Sequence, residues 1–171
     1  MNKTNENLKA AFAGESQARN KYAFFAKAAR KEGYSFIGKI FEETMENEMQ
    51  HAKDEFKLLG GIGNTAANLK EAIEGENYET TKMYPEFAKT ARKEGNKKAA
   101  ILFELIGKIE AIHRDRYQKL LDHLQNGTLF SREEPIRWVC EKCGHVHTGK
   151  KPPLRCPTCD HPQDYFIPGD I

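Results

Sequence analysis

An internal repeat is the feature that most restricts how this 171-residue chain can fold. Nine of the twelve residues of the segment 22–33 recur in the same order in the segment 84–95. Apolar residues recur at spacings of three and four around both copies, as in amphipathic helices. Gly33 and Gly95 close the repeated segments, as glycines that end helices do. The repeat therefore predicts a duplicated helical hairpin with four long helices.

The composition separates this helical part from a short tail. All four cysteines lie between Cys140 and Cys159, and six of the seven prolines lie from Pro135 onward. We therefore predict two domains, a helical bundle over 1–130 and a turn-rich module over 131–171. A module of about 40 residues buries too little surface to fold unaided, so the cysteines must staple it.

Charge and hydropathy exclude several classes of protein. The net charge is +2, so no basic surplus indicates binding to nucleic acid or to anionic lipid. The mean hydropathy is −0.74, and no apolar run approaches the ~20 residues of a membrane span. The N-terminal residues lack the apolar core of a signal peptide. We expect a soluble cytoplasmic protein.

Five glutamates and two histidines interrupt the apolar stripes of the four predicted helices. They are Glu15, Glu48, His51, Glu76, Glu79, Glu110 and His113. Carboxylates in an apolar core are costly unless cations neutralise them, and no Lys or Arg shares these stripes. Two Glu-x-x-His pairs at matching repeat positions predict a dinuclear carboxylate site, and such ligands suit iron or manganese. The alternative is half-exposed glutamates at helix edges with ordinary core histidines.

Two tyrosines, Tyr22 and Tyr84, also occupy matching repeat positions, one to two turns beyond the candidate ligands. One interpretation is core packing with each hydroxyl satisfied locally. The other is a hydrogen bond from the hydroxyl to a metal ligand or to a bound oxygen species.

The tail contains two Cys-x-x-Cys pairs separated by twelve residues, Cys140 with Cys143 and Cys156 with Cys159. This pattern is typical of a tetrahedral metal site. The spacing does not choose between a structural zinc ion and an iron ion that cycles by one electron.

The motifs of the whole chain resemble those of a rubrerythrin. They are Ala-Gly-Glu15-Ser, Glu48-Met-Gln-His51, Gly75-Glu76-Asn-Tyr-Glu79, Met83-Tyr84-Pro85, Glu110-Ala-Ile-His113 and the two cysteine pairs. The resemblance implies an all-α, ferritin-like diiron four-helix bundle followed by a small rubredoxin-like domain of strands and loops. One departure is Asp160, where rubredoxin-like modules usually have glycine after the last cysteine. A side chain at this position would disturb the backbone N–H bonds to sulfur. The reduction potential of the bound iron would then change.

The resemblance also implies roles for the candidate residues. Glu48 and Glu110 would bridge the two irons, and terminal ligands would be Glu15, Glu76 and His113. Glu79 and His51 would alternate on one iron as the redox state changes. A single iron would be held by Cys140, Cys143, Cys156 and Cys159.

The activity that the resemblance implies is reduction of hydrogen peroxide to water, as protection against oxidative stress. Electrons would come from a rubredoxin or an NADH-dependent reductase through the iron of the four cysteines. The alternatives are a ferritin-like ferroxidase or iron-storage protein, and a non-enzymatic protein with a structural zinc ribbon.

The connection between the second and third helices bears on assembly, and we expect a homodimer. In a ferritin-like bundle these helices run parallel, so the chain must cross about 33 Å. The residues 60–65 reach at most about 20 Å. Either the residues 66–74 form a separate segment across the bundle, or two chains exchange hairpins in a domain-swapped dimer.

Overall fold

The computed structural model describes residues 2–171 and contains four long helical segments followed by a small sheet. The helices are α1 (Lys3–Lys31), α2 (Ser35–Leu58), α3 (Thr65–Tyr78), a π-helix (Glu79–Met83), α4 (Tyr84–Lys93) and α5 (Lys97–Gln125). The strands are β1 (Ile136–Cys140), β2 (Val146–Gly149) and β3 (Phe166–Pro168), with a 3-10 turn at Gln163–Tyr165. Across residues 2–171, no helix combines the length and apolar composition that a membrane span requires.

The chain divides into two compact units, one ending at Gly63 and the other spanning Asn64–Ile171. In the first unit, α1 and α2 form an antiparallel hairpin. The hairpin turns at Gly33, whose φ of 90° is left-handed and lets Tyr34 N–H bond the Ala29 carbonyl at 2.8 Å. The helix end predicted at this glycine is confirmed.

The second unit repeats this hairpin with α4 and α5. Gly95 has a φ of 77°, and Asn96 N–H bonds the Ala91 carbonyl at 2.8 Å. Small buried residues at matching positions bring the helices of each hairpin together: Ala26 and Ala29 in the first, Ala88 and Ala91 in the second. The two sequence copies therefore fold alike where they match most closely.

The third long helix is continuous but not uniform. It begins at Thr65, where the Asn64 side chain accepts a hydrogen bond from Ala67 N–H at 3.0 Å. The backbone remains helical through Tyr78 and Glu79 and through the π-helix into α4. The alternative in which residues 66–74 form a separate segment is therefore wrong, because they lie inside α3.

The tail is a three-stranded antiparallel sheet in the order β2-β1-β3. Its core is one large ring, Trp138, packed with Phe166 and two of the cysteines. Trp138 is fully buried and its indole N–H donates to the Gly149 carbonyl at 2.9 Å. This small core holds β1 and its neighbours around the cysteine pairs.

Candidate metal centres

The first unit brings three of the candidate ligands together. Glu15 of α1 faces Glu48 and His51 of α2, and one ligand atom from each lies within 4.8 Å of the others. His51 Nδ1 is 2.9 Å from a Glu48 oxygen and 3.9 Å from a Glu15 oxygen. The i, i+3 spacing puts Glu48 and His51 on one face of α2, as predicted.

The second unit builds the same cluster from Glu76 of α3 with Glu110 and His113 of α5. His113 Nδ1 is 2.7 Å from a Glu110 oxygen and 3.7 Å from a Glu76 oxygen. These distances agree with those of the first unit to about 0.2 Å. Each chain therefore carries two matched three-residue clusters.

Within each cluster, the carboxylates repel one another. A hydrogen bond shared with Glu48, and then burial, raise the pKa of Glu15 above its usual value. Burial, and then a hydrogen bond shared with Glu110, raise the pKa of Glu76. Among residues 2–171, none of these four glutamates forms an ion pair with Lys or Arg. A bound cation removes this repulsion, so the donor set fits iron.

Glu79 is the first residue of the π-helix and is half-buried. Its charge raises the pKa of Glu76, although less than burial and Glu110 do, so the two carboxylates are neighbours. It does not join the compact cluster of Glu76, Glu110 and His113. Its role as a ligand stays a prediction.

The two tyrosines pack alike against phenylalanine rings. Tyr22 contacts Phe25 and Phe41, with ring centroids 6.3 and 6.0 Å away. Tyr84 contacts the matching rings of α4 and α5 at 6.5 and 6.1 Å. Burial, and then the charges of Glu79, Glu110 and Glu76, raise the pKa of Tyr84. The Tyr84 ring therefore lies near the carboxylates of its own unit.

The four cysteines form the third cluster. Sγ of Cys140 is 3.7 Å from Sγ of Cys159, and Sγ of Cys143 is 3.6 Å from Sγ of Cys156. A disulfide needs about 2.05 Å. Four sulfurs tetrahedrally arranged at about 2.3 Å from one metal would lie about 3.8 Å apart. The sulfur positions therefore fit a tetrathiolate metal site and no disulfide.

The thiols of the tail differ in how readily they ionise. The His161 N–H lowers the pKa of Cys159, but burial and hydrogen bonds shared with the other sulfurs raise it to about 12. Burial raises the pKa of the Cys156 thiol, but backbone N–H groups of Thr158 and Cys159 bond its sulfur, and the resulting pKa is about 7. A thiolate is the form that binds a metal. The cysteine cluster therefore supplies at least one ligand that is readily ionised near neutral pH.

The two cysteine loops are closely alike despite Asp160. Gly144 and Asp160, which follow the second cysteine of each pair, have left-handed φ values of 75° and 58°. Their N–H groups bond the carbonyls of Cys140 and Cys156 at 2.8 and 2.9 Å. Arg155 donates to the Asp160 carbonyl at 2.7 Å and lies 3.3 Å from its carboxylate. The aspartate thus keeps the turn that glycine makes, and its effect on the potential stays a prediction.

Sequence reasoning missed the π-helix and a residue within it, Thr80. Thr80 Oγ1 donates a hydrogen bond across to the Gly107 carbonyl of α5. The signal was available, because Gly14-Glu15 matches Gly75-Glu76 at an offset of 61 whereas Tyr22 matches Tyr84 at 62. A change of offset inside a repeat indicates one inserted residue.

Comparisons with known proteins agree with these sites. A family model described as rubrerythrin matches residues 6–121, and one described as the rubrerythrin rubredoxin-like domain matches residues 138–167. The chain is 50% identical to a rubrerythrin of Porphyromonas gingivalis, over 97% of this chain and 90% of that protein. It is 45% identical to a putative rubrerythrin of Methanocaldococcus jannaschii, over 97% and 92%. It is 41% identical to a rubrerythrin of Nitratidesulfovibrio vulgaris, over 96% and 93%. The chain therefore belongs to the rubrerythrin family, oxidoreductases of oxidative stress with a ferritin-like bundle, a diiron carboxylate site and a rubredoxin-like four-cysteine site.

Proposed function

We propose that this protein is a peroxidase that reduces hydrogen peroxide to water in the cytoplasm. The reaction consumes two electrons and two protons, H2O2 + 2 e⁻ + 2 H⁺ → 2 H2O. The observation that carries the proposal is the pair of matched Glu/His clusters on a chain that also holds a separate four-cysteine site. A ferroxidase needs the first feature but has no use for the second. The electron donor would be a rubredoxin or an NADH-dependent reductase.

Two separate sets of side chains would bind the metals, one for the diiron pair and one for the single iron. When bound, a diferrous pair supplies both electrons for cleavage of the O–O bond, and the tetrathiolate iron returns them singly. Glu48 and Glu110 would bridge the two irons, with Glu15, Glu76 and His113 as terminal ligands. The tetrathiolate iron would be held by Cys140, Cys143, Cys156 and Cys159.

Two residues would exchange on one iron. His51 is neutral when it binds and suits the diferrous state, whereas Glu79 brings a negative charge and suits the diferric state. Glu79 lies beside Glu76, and His51 lies beside Glu48. The Tyr84 hydroxyl, and the matching one of Tyr22, would donate hydrogen bonds to a ligand or to the substrate.

The relay is tested with Cys156→Ser. This change should bleach the ferric tetrathiolate colour and stop turnover with an external donor. The chemically reduced protein should still consume one equivalent of peroxide, because bond cleavage occurs elsewhere. Thr158→Ala, in the same loop, is the control and should keep both properties. Loss of the single turnover in Cys156→Ser, or a colourless zinc-bearing tail in the native protein, contradicts the proposal.

The ligand exchange is tested with Glu79→Ala. The change should slow turnover at least about tenfold while diferrous iron still binds, because His51 serves that state. Anaerobic titration with ferrous iron measures binding, and a peroxide-consumption assay measures turnover. Equal loss of ferrous and ferric binding would contradict an exchange.

We further propose a homodimer in which two chains exchange hairpins. If α2 and α3 of one chain lay parallel with Glu48 and Glu76 at the same level, the end of α2 at Leu58 would be about 32 Å from the start of α3 at Thr65. Seven residue steps span at most about 25 Å. Because α3 is continuous from Thr65, no separate segment remains to cover the difference. Light scattering should give the mass of a dimer, and a monomer that binds the full complement of iron would contradict the exchange.

A further inference from the structure

The offset between the two sequence copies changes by one residue along the chain. Before the turn, Asn7-Leu8-Lys9 matches Asn68-Leu69-Lys70, and Gly14-Glu15 matches Gly75-Glu76, all at an offset of 61. From Tyr22 and Tyr84 onward the offset is 62. One extra residue therefore lies between Glu76 and Tyr84 in the second copy.

The π-helix absorbs this residue. A π-turn holds one more residue than an α-turn, and it lies at Glu79–Met83, whereas α1 is α-helical from Lys3 to Lys31. On its N-terminal side, Glu76 has the same place in its Glu/His cluster as Glu15 has in the other. On its C-terminal side the aromatic trios match, with Phe25–Phe41 and Phe87–Phe103 centroids both 5.6 Å apart. The insertion thus changes only the turn itself.

The π-turn is anchored to α5 at one point. The half-buried Thr80 donates from Oγ1 to the Gly107 carbonyl. A Cβ on Gly107 would lie only 3.1 Å from Tyr84 Cβ, so glycine allows this close approach. At the position of Gly107 the first hairpin has Met45. Arg19, which matches Thr80 at the offset of 61, has no hydroxyl, so this anchor belongs to the hairpin that carries the extra residue.

We propose that Thr80 is a positioning residue that fixes the carboxylate of Glu79 toward the diiron site. Glu79 opens the π-turn and immediately precedes Thr80, so the anchor limits where its backbone can move. Its counterpart in the first hairpin, at the offset of 61, is Ala18. The insertion and its anchor thus supply a carboxylate that only one cluster possesses. This inference rests on the assignment of Glu79 as the ligand of the diferric state.

The test compares the diiron reduction potential of iron-loaded full-length variants. Thr80→Val keeps the shape of the side chain and removes the donor. Thr80→Ala also removes the donor, and it serves as the second variant if the branched side chain of valine prevents folding. Thr80→Ser restores the donor, and Thr81→Val is the matched control, because the Thr81 hydroxyl bonds the Asn77 carbonyl within its own helix at 2.6 Å. Thermal unfolding of each apoprotein reports on stability separately.

Loss of the Thr80 hydrogen bond should shift the diiron site toward the diferrous state, as Glu79→Ala does, but by less. At a fixed applied potential, Thr80→Val should lower the ratio of diferric to diferrous protein about tenfold. Thr80→Ser and Thr81→Val should stay near the native ratio. An unchanged ratio in both donor-free variants, or an equal change in Thr81→Val, overturns the inference.

This measurement is independent of peroxide. A native protein that fails to reduce peroxide would refute the proposed activity and leave the comparison of ratios valid. A Glu79→Ala protein with the native ratio would refute the ligand assignment and, with it, the role of Thr80.

Discussion

The two helical hairpins of this protein place their candidate metal ligands alike, but the second hairpin has one inserted residue in its first helix. Both place a glutamate opposite a Glu-x-x-His pair, and both pack a tyrosine against two phenylalanines. Only the second hairpin has a π-turn, the carboxylate of Glu79 and the Thr80 anchor. The comparison separates the side chains that both clusters share from those that only the second hairpin has.

The comparison also shows how an insertion can be tolerated inside a long helix. An added residue in an α-helix rotates all later side chains by about 100° relative to the earlier ones. The π-turn confines that rotation to five residues, Glu79–Met83. Glu76 on one side and Tyr84 on the other therefore keep the relation that Glu15 and Tyr22 have.

The largest effect is expected from deleting matching residues of the two hairpins. Deletion of Thr81 should convert the π-turn to an α-turn and leave Glu76 and Tyr84 in register. Deletion of its counterpart Asn20 should rotate Tyr22 and Phe25 out of the hairpin contact, at a cost of about 3–5 kcal/mol or more. Circular dichroism during heating measures both variants. Equal loss of stability would mean that the π-turn is not the insertion.

The next effect concerns metal content. Glu48→Ala and Glu110→Ala remove the two matching carboxylates that we propose to bridge the irons, so both should lose the dinuclear iron. Metal analysis should then fall from about three irons per chain to about one, the tetrathiolate iron. Glu46→Ala, an exposed glutamate of α2, should keep all the iron. If only one of the two bridging variants lost iron, the half-sites would be unequal.

The sequence predicted best those parts of the fold that occur in both copies of the repeat. Helix-terminating glycines and apolar stripes specify the hairpins locally. The glutamates and histidines could be found because they break an apolar stripe, where a charge needs a partner. The four-cysteine cluster was equally plain, because few structures other than a metal site use two close cysteine pairs in a short tail.

The parts that escaped prediction depend on contacts between distant residues. Thr80 has no unusual neighbours in sequence, and its partner Gly107 lies 27 positions away. The continuity of α3 was also open, since the residues 66–74 have the same helical pattern whether they lie across a bundle or along it. The contact of Arg155 with the Asp160 carbonyl could likewise not be read from the sequence, and the effect of Asp160 on the potential stays a prediction.

A mixing experiment asks whether the two half-sites of one bundle come from different chains. One chain carries Glu110→Ala, and the other carries Glu15→Ala with Cys156→Ser. In an exchanged heterodimer, one bundle keeps both glutamates and the other lacks both, so about half of the dinuclear iron should return. Iron analysis of the tagged, purified heterodimer gives the answer. No dinuclear iron in a verified heterodimer would rule out exchange.

The smallest effect concerns the ion pairs that join the helices of each hairpin. Arg30 bonds both oxygens of Glu42, at 2.9 and 2.5 Å, whereas Arg92 bonds a single oxygen of Glu104 at the same distances. Both pairs are exposed, so Glu42→Gln and Glu104→Gln should each lower Tm by at most about 3 °C at pH 7, and Glu42→Gln by more.

The pH dependence of the first pair follows from the same contact. The hydrogen bond from Arg30 lowers the pKa of Glu42 below its ordinary value of 4.5. A carboxylate whose pKa is lowered by folding stabilises the folded state above the ordinary pKa, and this contribution is lost as the pH falls through the lowered value. The difference in Tm between the native protein and Glu42→Gln should therefore be constant from pH 7 to pH 5 and shrink below pH 4.5. Glu43→Gln, at the exposed neighbouring position, is the control and should show no such trend. A difference that grows on acidification would mean that Glu42 acts through something other than its charge.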